Sequence, residues 1–317
     1  MLAIVAPGQG AQTPGFLTPW LEDPSFSSHL EWLSAAADVD LVAHGTVSDA
    51  ETIRDTSVAQ PLLVASALAA ARQLMSAAQE VSADVVAGHS VGELAAAALA
   101  GVVSDESAMV LVRERGRGMA AASAVTPTSM TAVIGGDRDE VLAAIETAGL
   151  TPANNNGTGQ IVAAGTVEQL AALSEAAPRR ARLIPLSVAG AFHTHHMTPA
   201  VERLASLARA VPTGEPHTRL LSNADGRVVS SGREYLDRLV NQVANPVRWD
   251  QCMATMAELG VTGLLELPPA GTLTGIAKRN LKGVEVFNLN APDQLDEARA
   301  FCRAHAEADP HPAPEHA

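Results

Sequence analysis

The chain has 317 residues, 47% hydrophobic and 18% charged, enough for one large domain or a large domain carrying a smaller one. Its formal net charge of −14 argues against nucleic acid or an anionic membrane as partner, since both would be repelled over most of the surface. Aromatics at 3% leave a core built mainly from Ala, Val and Leu, and two cysteines, Cys252 and Cys302, give no disulfide framework and point to a reducing, cytoplasmic setting.

Residues 2–6 read as a buried first strand that turns at Pro7-Gly8, too short and without the basic flank of a secretory leader. A helix is expected over 60–79. A second strand over 84–87 breaks into Gly88-His89-Ser90-Val91-Gly92 before a helix that runs to about Leu99. The next helix, 104–121, enters through Ser104 as N-cap. The longest apolar stretch, 94–112, is interrupted by Ser104-Asp105-Glu106-Ser107, so no bilayer span is expected.

The middle of the chain changes rhythm. From Met130 the reading is strand, helix (138–147), strand (151–156), strand (160–165), helix (167–176) and strand (182–187). That βαββαβ order is ferredoxin-like and fits a small domain inserted into a larger one. A helix over 199–210 and strands at 219–223 and 263–267 then resume the first pattern. The expected fold is therefore α/β: a large α/β-hydrolase-like domain with a mostly parallel sheet (1–125 and 189–303), a small ferredoxin-like domain (126–188), and a flexible tail (304–317) rich in Pro, His, Glu and Asp.

The chemistry begins at Gly88-His89-Ser90-Val91-Gly92, which matches G-x-S-x-G between strand and helix. In that setting the glycines permit a sharp turn that lifts Ser90 out of the sheet, and the helix N-terminus directs N–H groups at a developing oxyanion. A serine hydroxyl needs a base. Of the ten histidines, His89 sits inside the turn and should point away from Ser90. His29, His44 and His217 have no accompanying motif, and His305, His311 and His316 fall in the tail. The cluster His193, His195 and His196 remains, where the chain returns from the inserted domain. It offers either one base with two bystanders or a three-ligand metal site. H-T-H-H spacing spreads its rings, and no Cys, Asp or Glu lies among them, which disfavours the metal.

Several blocks in order carry a resemblance: Pro7-Gly8-Gln9-Gly10-Ala11-Gln12, Gln60-Pro61, Gly88 to Glu93, Arg115-Gly116 with Met119, 154–160, Gly190-Ala191-Phe192-His193-Thr194, Asn245-Pro246-Val247-Arg248-Trp249 and 271–279. Together they resemble the malonyl-CoA:acyl carrier protein transacylases of fatty acid synthesis and the related acyltransferase domains of polyketide synthases. The resemblance implies Ser90 as the acylated nucleophile, His193 as its base, and the Gln9 and Val91 amides as the oxyanion hole. It implies that Arg115 grips the free carboxylate of the malonyl group and that Gln242 helps to hold the histidine. Asn156, Phe192 and Met119 are the further substrate-binding positions.

It also implies malonyl-CoA as substrate and a phosphopantetheinylated acyl carrier protein as partner. No metal or tightly bound cofactor is expected, and the chain is taken as a monomer. An arginine suits the carboxylate because its planar fork gives two parallel hydrogen bonds. With no carboxylate behind His193, its support falls to the Gln242 side chain or a backbone carbonyl. An acidic carrier must meet a local basic patch on this acidic chain, and two are available: Arg179-Arg180 with Arg182, and Lys278-Arg279 with Lys282. Leu267-Pro268-Pro269-Ala270-Gly271 departs from the Gly-rich turn of many relatives and should be stiffer. A serine hydrolase would share the Ser90 turn but needs an acid and a histidine late in the chain. A stand-alone polyketide acyltransferase differs only in its carrier.

Overall fold

The computed structural model describes residues 1–76, 81–188 and 190–306. The chain opens with β1 (Leu2–Ala6), whose five residues are all buried, as a strand covered on both faces requires. Helices α1 (Pro24–Ala37), α2 (Leu41–Thr46) and α3 (Thr56–Leu74) follow, then β2 (Val85–Gly88), α4 (Gly92–Leu99) and α5 (Asp105–Ser123). The small sheet is built from β3 (Thr128–Gly135), α6 (Arg138–Thr147), β4 (Thr151–Asn155), β5 (Gln160–Thr166), α7 (Val167–Glu175) and β6 (Ala181–Pro185). The chain then returns through α8 (Thr198–Ala210), β7 (Arg219–Leu221), β8 (Val228–Val229), α9 (Gly232–Gln242) and α10 (Trp249–Glu258). It ends in β9 (Gly263–Glu266), α11 (Thr272–Asn280), β10 (Glu285–Asn288) and α12 (Leu295–His305).

The larger sheet has the order β10-β9-β1-β2-β7-β8, parallel throughout except for the β7–β8 pair. The smaller has the order β4-β5-β3-β6, all antiparallel, which is the ferredoxin-like arrangement expected from the βαββαβ pattern. Register divides the small sheet into two faces. Val133, Ile161, Ala163 and Leu183 pack with Val141, Ile145, Leu170 and Leu173 of α6 and α7. Ala132 and Val162 on the other face join the main core. Backbone bonds from Asn155 N–H to Val247 C=O and from Val247 N–H to Ala153 C=O, both 2.8 Å, tie β4 to the segment before α10.

Local chemistry sets the boundaries. Ser104 accepts from Ser107 N–H and caps α5, as its sequence position suggested. Helix α3 starts earlier than expected because Asp55 accepts from Ser57 N–H and caps it, which places Pro61 inside the helix. The expected end of that helix, at 77–79, lies outside the described residues. The tail expectation needs correction at its start: Ala304 and His305 complete α12, with His305 Nδ1 3.0 Å from Thr262 Oγ1. Residues 307–317 of that expected tail lie outside the described residues. Among the described residues no helix is long and apolar enough to cross a membrane.

Candidate active site

Ser90 stands on the turn between β2 and α4. A Cβ on Gly88 would fall 1.9 Å from Gly92 C, and one on Gly92 would fall 2.3 Å from Ala6 O, so only glycine lets the strand and helix approach this closely. Ser90 itself takes φ 54°, a left-handed conformation at the tip of the strand-to-helix turn. Its N–H donates to Asn223 Oδ1 at 2.7 Å, and Gly92 N–H donates to His89 C=O at 3.0 Å. The N–H groups of Val91 and of Gln9 have no acceptor among the described residues. The Gly8-Gln9 loop lies against the turn, since a Cβ on Gly8 would meet His89 Nδ1 at 2.9 Å.

His193 also takes a left-handed conformation, φ 62°, with its N–H on Val243 C=O at 3.2 Å. Its Nε2 lies 2.7 Å from Ser90 Oγ and its Nδ1 2.8 Å from Gln242 C=O. A carbonyl only accepts, so Nδ1 carries the proton and Nε2 presents its lone pair to the serine. The ring is 3% exposed. Burial, reinforced by the Arg115 charge, lowers its pKa to about 3 against the opposing bond to Gln242, so the imidazole is neutral at physiological pH.

Arg115 is drawn inward by its neighbour. Gly116 packs so closely on α3 that a Cβ would meet Thr56 O at 2.9 Å. Arg115 is 1% exposed, unlike Arg113 and Arg117 of the same helix, whose side chains are 23% and 46% exposed. Its Nη1 donates to Gln60 Oε1 at 2.8 Å and its Nη2 to Ser90 Oγ at 3.1 Å. Burial lowers its pKa to about 10, partly offset by Glu93, so it stays charged. The result is a hydroxyl between a neutral base and a buried cation. That arrangement suits attack by Oγ on an activated carbonyl attached to an anion.

The other expected residues sort as follows. Gln242 holds His193 through its backbone carbonyl. Its side chain instead donates to Asn245 C=O at 2.7 Å and Pro246 C=O at 2.8 Å, fixing the loop that leads to Trp249. Asn156, 5% exposed, accepts from His89 Nε2 at 2.9 Å, which turns that ring away from the Ser90 hydroxyl and toward β4. Met119 reaches the site through Gln60, whose Nε2 contacts its Sδ at 3.4 Å. Phe192 is buried in the main core beside Gly190, one residue before His193. His195 is exposed, and its ring meets that of His196 at 4.1 Å, while both His193 nitrogens are already engaged.

Three polar residues of the site carried no role in the sequence reading. Gln60 orients Arg115, Asn223 binds Ser90 N–H, and Glu93, 1% exposed, accepts Asn223 N–H at 2.8 Å. Burial raises the Glu93 carboxyl to about 8 despite the bond from Asn223 and the charge of Arg115. Gln60 and Glu93 lay within quoted blocks, whereas Asn223 lies two residues beyond β7 with no spacing signal around it.

Comparison with known proteins adds an independent line. The model of the acyl transferase domain matches residues 4–309. The malonyl CoA-acyl carrier protein transacylase of Mycobacterium tuberculosis (strain H37Rv) is 50% identical over 301 residues, covering 94% of this chain and 99% of that protein. The protein of that name from Escherichia coli (strain K12) is 34% identical over 301 residues, covering 92% and 97%. Among solved structures, MCAT from Mycobacterium tuberculosis superposes with TM-score 0.91 at 49% identity, covering 94% and 99%. A malonyl-transacylase in complex with its type II polyketide acyl-carrier protein gives TM-score 0.87 at 31% identity, covering 94% and 99%.

Proposed function

The chain belongs to the malonyl-CoA:acyl carrier protein transacylase family, and on that premise we propose that it moves malonyl from CoA to a carrier thiol by way of Ser90. The observation that carries this reading is Ser90 Oγ set 2.7 Å from the His193 lone pair and 3.1 Å from the buried Arg115 guanidinium. Ser90 Oγ attacks the thioester carbonyl as its proton passes to His193 Nε2, and the oxyanion is met by the Val91 and Gln9 amides. Collapse breaks the C–S bond, His193 returns the proton to the CoA sulfur, and malonyl remains on Ser90. The carrier's phosphopantetheine thiol then gives its proton to His193 and attacks the ester carbonyl; the Ser90 Oγ–carbon bond breaks, His193 returns the proton to Oγ, and the carrier leaves with the malonyl group.

Arg115 selects the substrate in this reading. A malonyl carboxylate needs a fixed cation when buried, and the fork beside Ser90 supplies one while Gln60 holds its other arm. A thioester is an activated acyl donor, so a base backed by a carbonyl rather than a carboxylate suffices, and no metal or tightly bound cofactor is called on. One chain supplies every group named, so a monomer is competent. The buried, unpaired Cys252 and Cys302 suit the cytoplasm.

The carrier's approach follows from the two basic clusters. Gln160, Ile134 and Arg182 are direct neighbours across β5, β3 and β6, so their side chains share one face of the small sheet. Arg279 Nη2 of α11 donates to Gln160 Oε1 at 2.8 Å. Arg279 therefore lies against the sheet face that carries Gln160 and Arg182, with Ile184, 37% exposed, on the same strand as Arg182, and the carrier is assigned to this side with Lys278 contributing charge. A cavity of about 210 Å³ lined by Gln9, His89, Asn154, Asn156, Gln160 and Ile276 lies next to the Ser90 turn through His89, and it is the path assigned to the carrier's arm in this reading.

Steady-state transfer to holo-carrier tests the scheme. Parallel double-reciprocal lines for malonyl-CoA and carrier are expected, as a ping-pong path requires. Intersecting lines would reject the acyl-enzyme. Competition among carriers of fatty acid and polyketide origin then assigns the pathway, since the two readings share all of this chemistry.

A further inference from the structure

The turn that carries Ser90 is bridged by a side chain from a different element. Asn223, two residues beyond β7 and 0% exposed, accepts from Ser90 N–H through Oδ1 at 2.7 Å and donates through Nδ2 to Gly88 C=O at 2.8 Å. Its own backbone is pinned at both ends. Its N–H donates to Glu93 Oε1 at 2.8 Å, and its C=O accepts from Arg248 N–H at 2.8 Å. One buried residue thus joins the end of β2, the nucleophile and the first turn of α4.

That connection has work to do. A left-handed conformation is unfavourable at a residue with a Cβ, so Ser90 keeps φ 54° only where its surroundings impose it. The distribution of N–H groups on the turn is equally specific. Ser90 N–H goes to Asn223 and Gly92 N–H to His89 C=O, which leaves that of Val91 without an acceptor among the described residues. His193, the other left-handed residue of the pair, is likewise held by a remote acceptor, Val243 C=O.

We propose that Asn223 is a positioning residue for acyl transfer, bridging Gly88 C=O and Ser90 N–H so that Oγ stays on the His193 lone pair, with Glu93 holding Asn223 in turn. The proposal rests on Ser90 being the nucleophile. It adds no covalent step. Glu93 Oε2 has no partner among the described residues, and a protonated carboxyl there keeps the support of Asn223 free of a buried charge.

The test is rapid-quench acylation of the full chain by malonyl-CoA, without carrier, reading both burst amplitude and rate. Asn223→Ala should slow acylation by roughly 30-fold or more per labelled site, with the KM for malonyl-CoA changed by less than about threefold. A purely structural role would instead lower the amplitude and leave the rate of the surviving sites unchanged. Asn223→Asp is the second variant, since it keeps the shape and the acceptor for Ser90 N–H. Only its protonated form can donate to Gly88 C=O, so the ratio of variant to parent rate should fall as pH rises. Glu93, Tyr235 and Cys252 pack around this position, and Arg115 and Arg238 act on Glu93; all are common to both proteins, so the ratio isolates the new carboxyl. A parent-like rate per site in the alanine variant overturns the proposal, as does a pH-independent ratio in the aspartate variant should the alanine variant fail to fold. Absence of an acyl adduct on Ser90 in the parent would strike the nucleophile assignment instead.

Discussion

At the scale of single residues, the site works by burial rather than by a buried carboxylate behind the base. His193 is held by a neutral carbonyl and kept unprotonated by desolvation and by Arg115. A general base loses activity as pH falls through its pKa, and here that value is about 3 rather than the ordinary 6.5. Acylation by malonyl-CoA should therefore stay flat from neutral pH down to about pH 5; a falling limb centred near 6.5 would contradict the assignment. His193→Ala should lower transfer by roughly 10²–10⁴-fold, while His195→Ala and His196→Ala leave it near the parent rate. Arg115→Ala should lose malonyl preference and gain tolerance of acetyl-CoA, and unchanged selectivity would remove Arg115 from its role. Ser90, His193 and Arg115 were legible in the sequence because each sits in a motif with fixed neighbours. The carbonyl role of Gln242 and the place of Asn223 were not, because backbone acceptors and lone amides leave no pattern in residue type.

Among elements, legibility followed the strength of local signals. Helix α6 was placed at both ends, where Asp137 caps it by accepting from Asp139 and Glu140 N–H, and the small sheet was readable from the βαββαβ order of its segments. Helices α1 and α2 went unassigned although Asp23 and Asp40 cap them and α1 buries Phe26, His29, Leu30, Leu33 and Ala37 at helical spacing. The two-residue β8 is below what periodicity can report. Two substitutions measure how differently these features matter. Ser104→Ala removes the α5 cap and should cost about 1 kcal/mol in urea unfolding. Gly88→Ala drives a Cβ into the backbone of Gly92 and should cost several times more, with loss of acylation. Equal effects would mean that the close strand-to-helix approach is not what the glycine serves.

For the whole molecule, net charge and local charge pull in opposite directions. A chain at −14 repels an acidic carrier except at a local basic patch, and the proposed one joins Arg182 with Lys278 and Arg279, the last of which donates to Gln160 on the small sheet. Arg182→Glu combined with Lys278→Glu should raise the KM for holo-carrier about tenfold or more while leaving acylation by malonyl-CoA untouched, and added salt should weaken the parent's carrier affinity. An unchanged carrier KM would place docking elsewhere. Stability carries its own signature. Glu93 is raised from 4.5 to about 8 in the folded state, so its contribution is present below 4.5 and is lost as pH rises through 8. Glu93→Gln should flatten the decline in stability between about pH 5 and 8, and parallel profiles for the two proteins would contradict the raised value.

The central claim is that malonyl passes through Ser90. Intact-mass spectrometry after brief exposure to malonyl-CoA reads it directly. A single malonyl adduct should appear, map to the peptide containing Ser90 and be absent from Ser90→Ala. An adduct that persists in Ser90→Ala, or one that maps to another residue, would contradict the account.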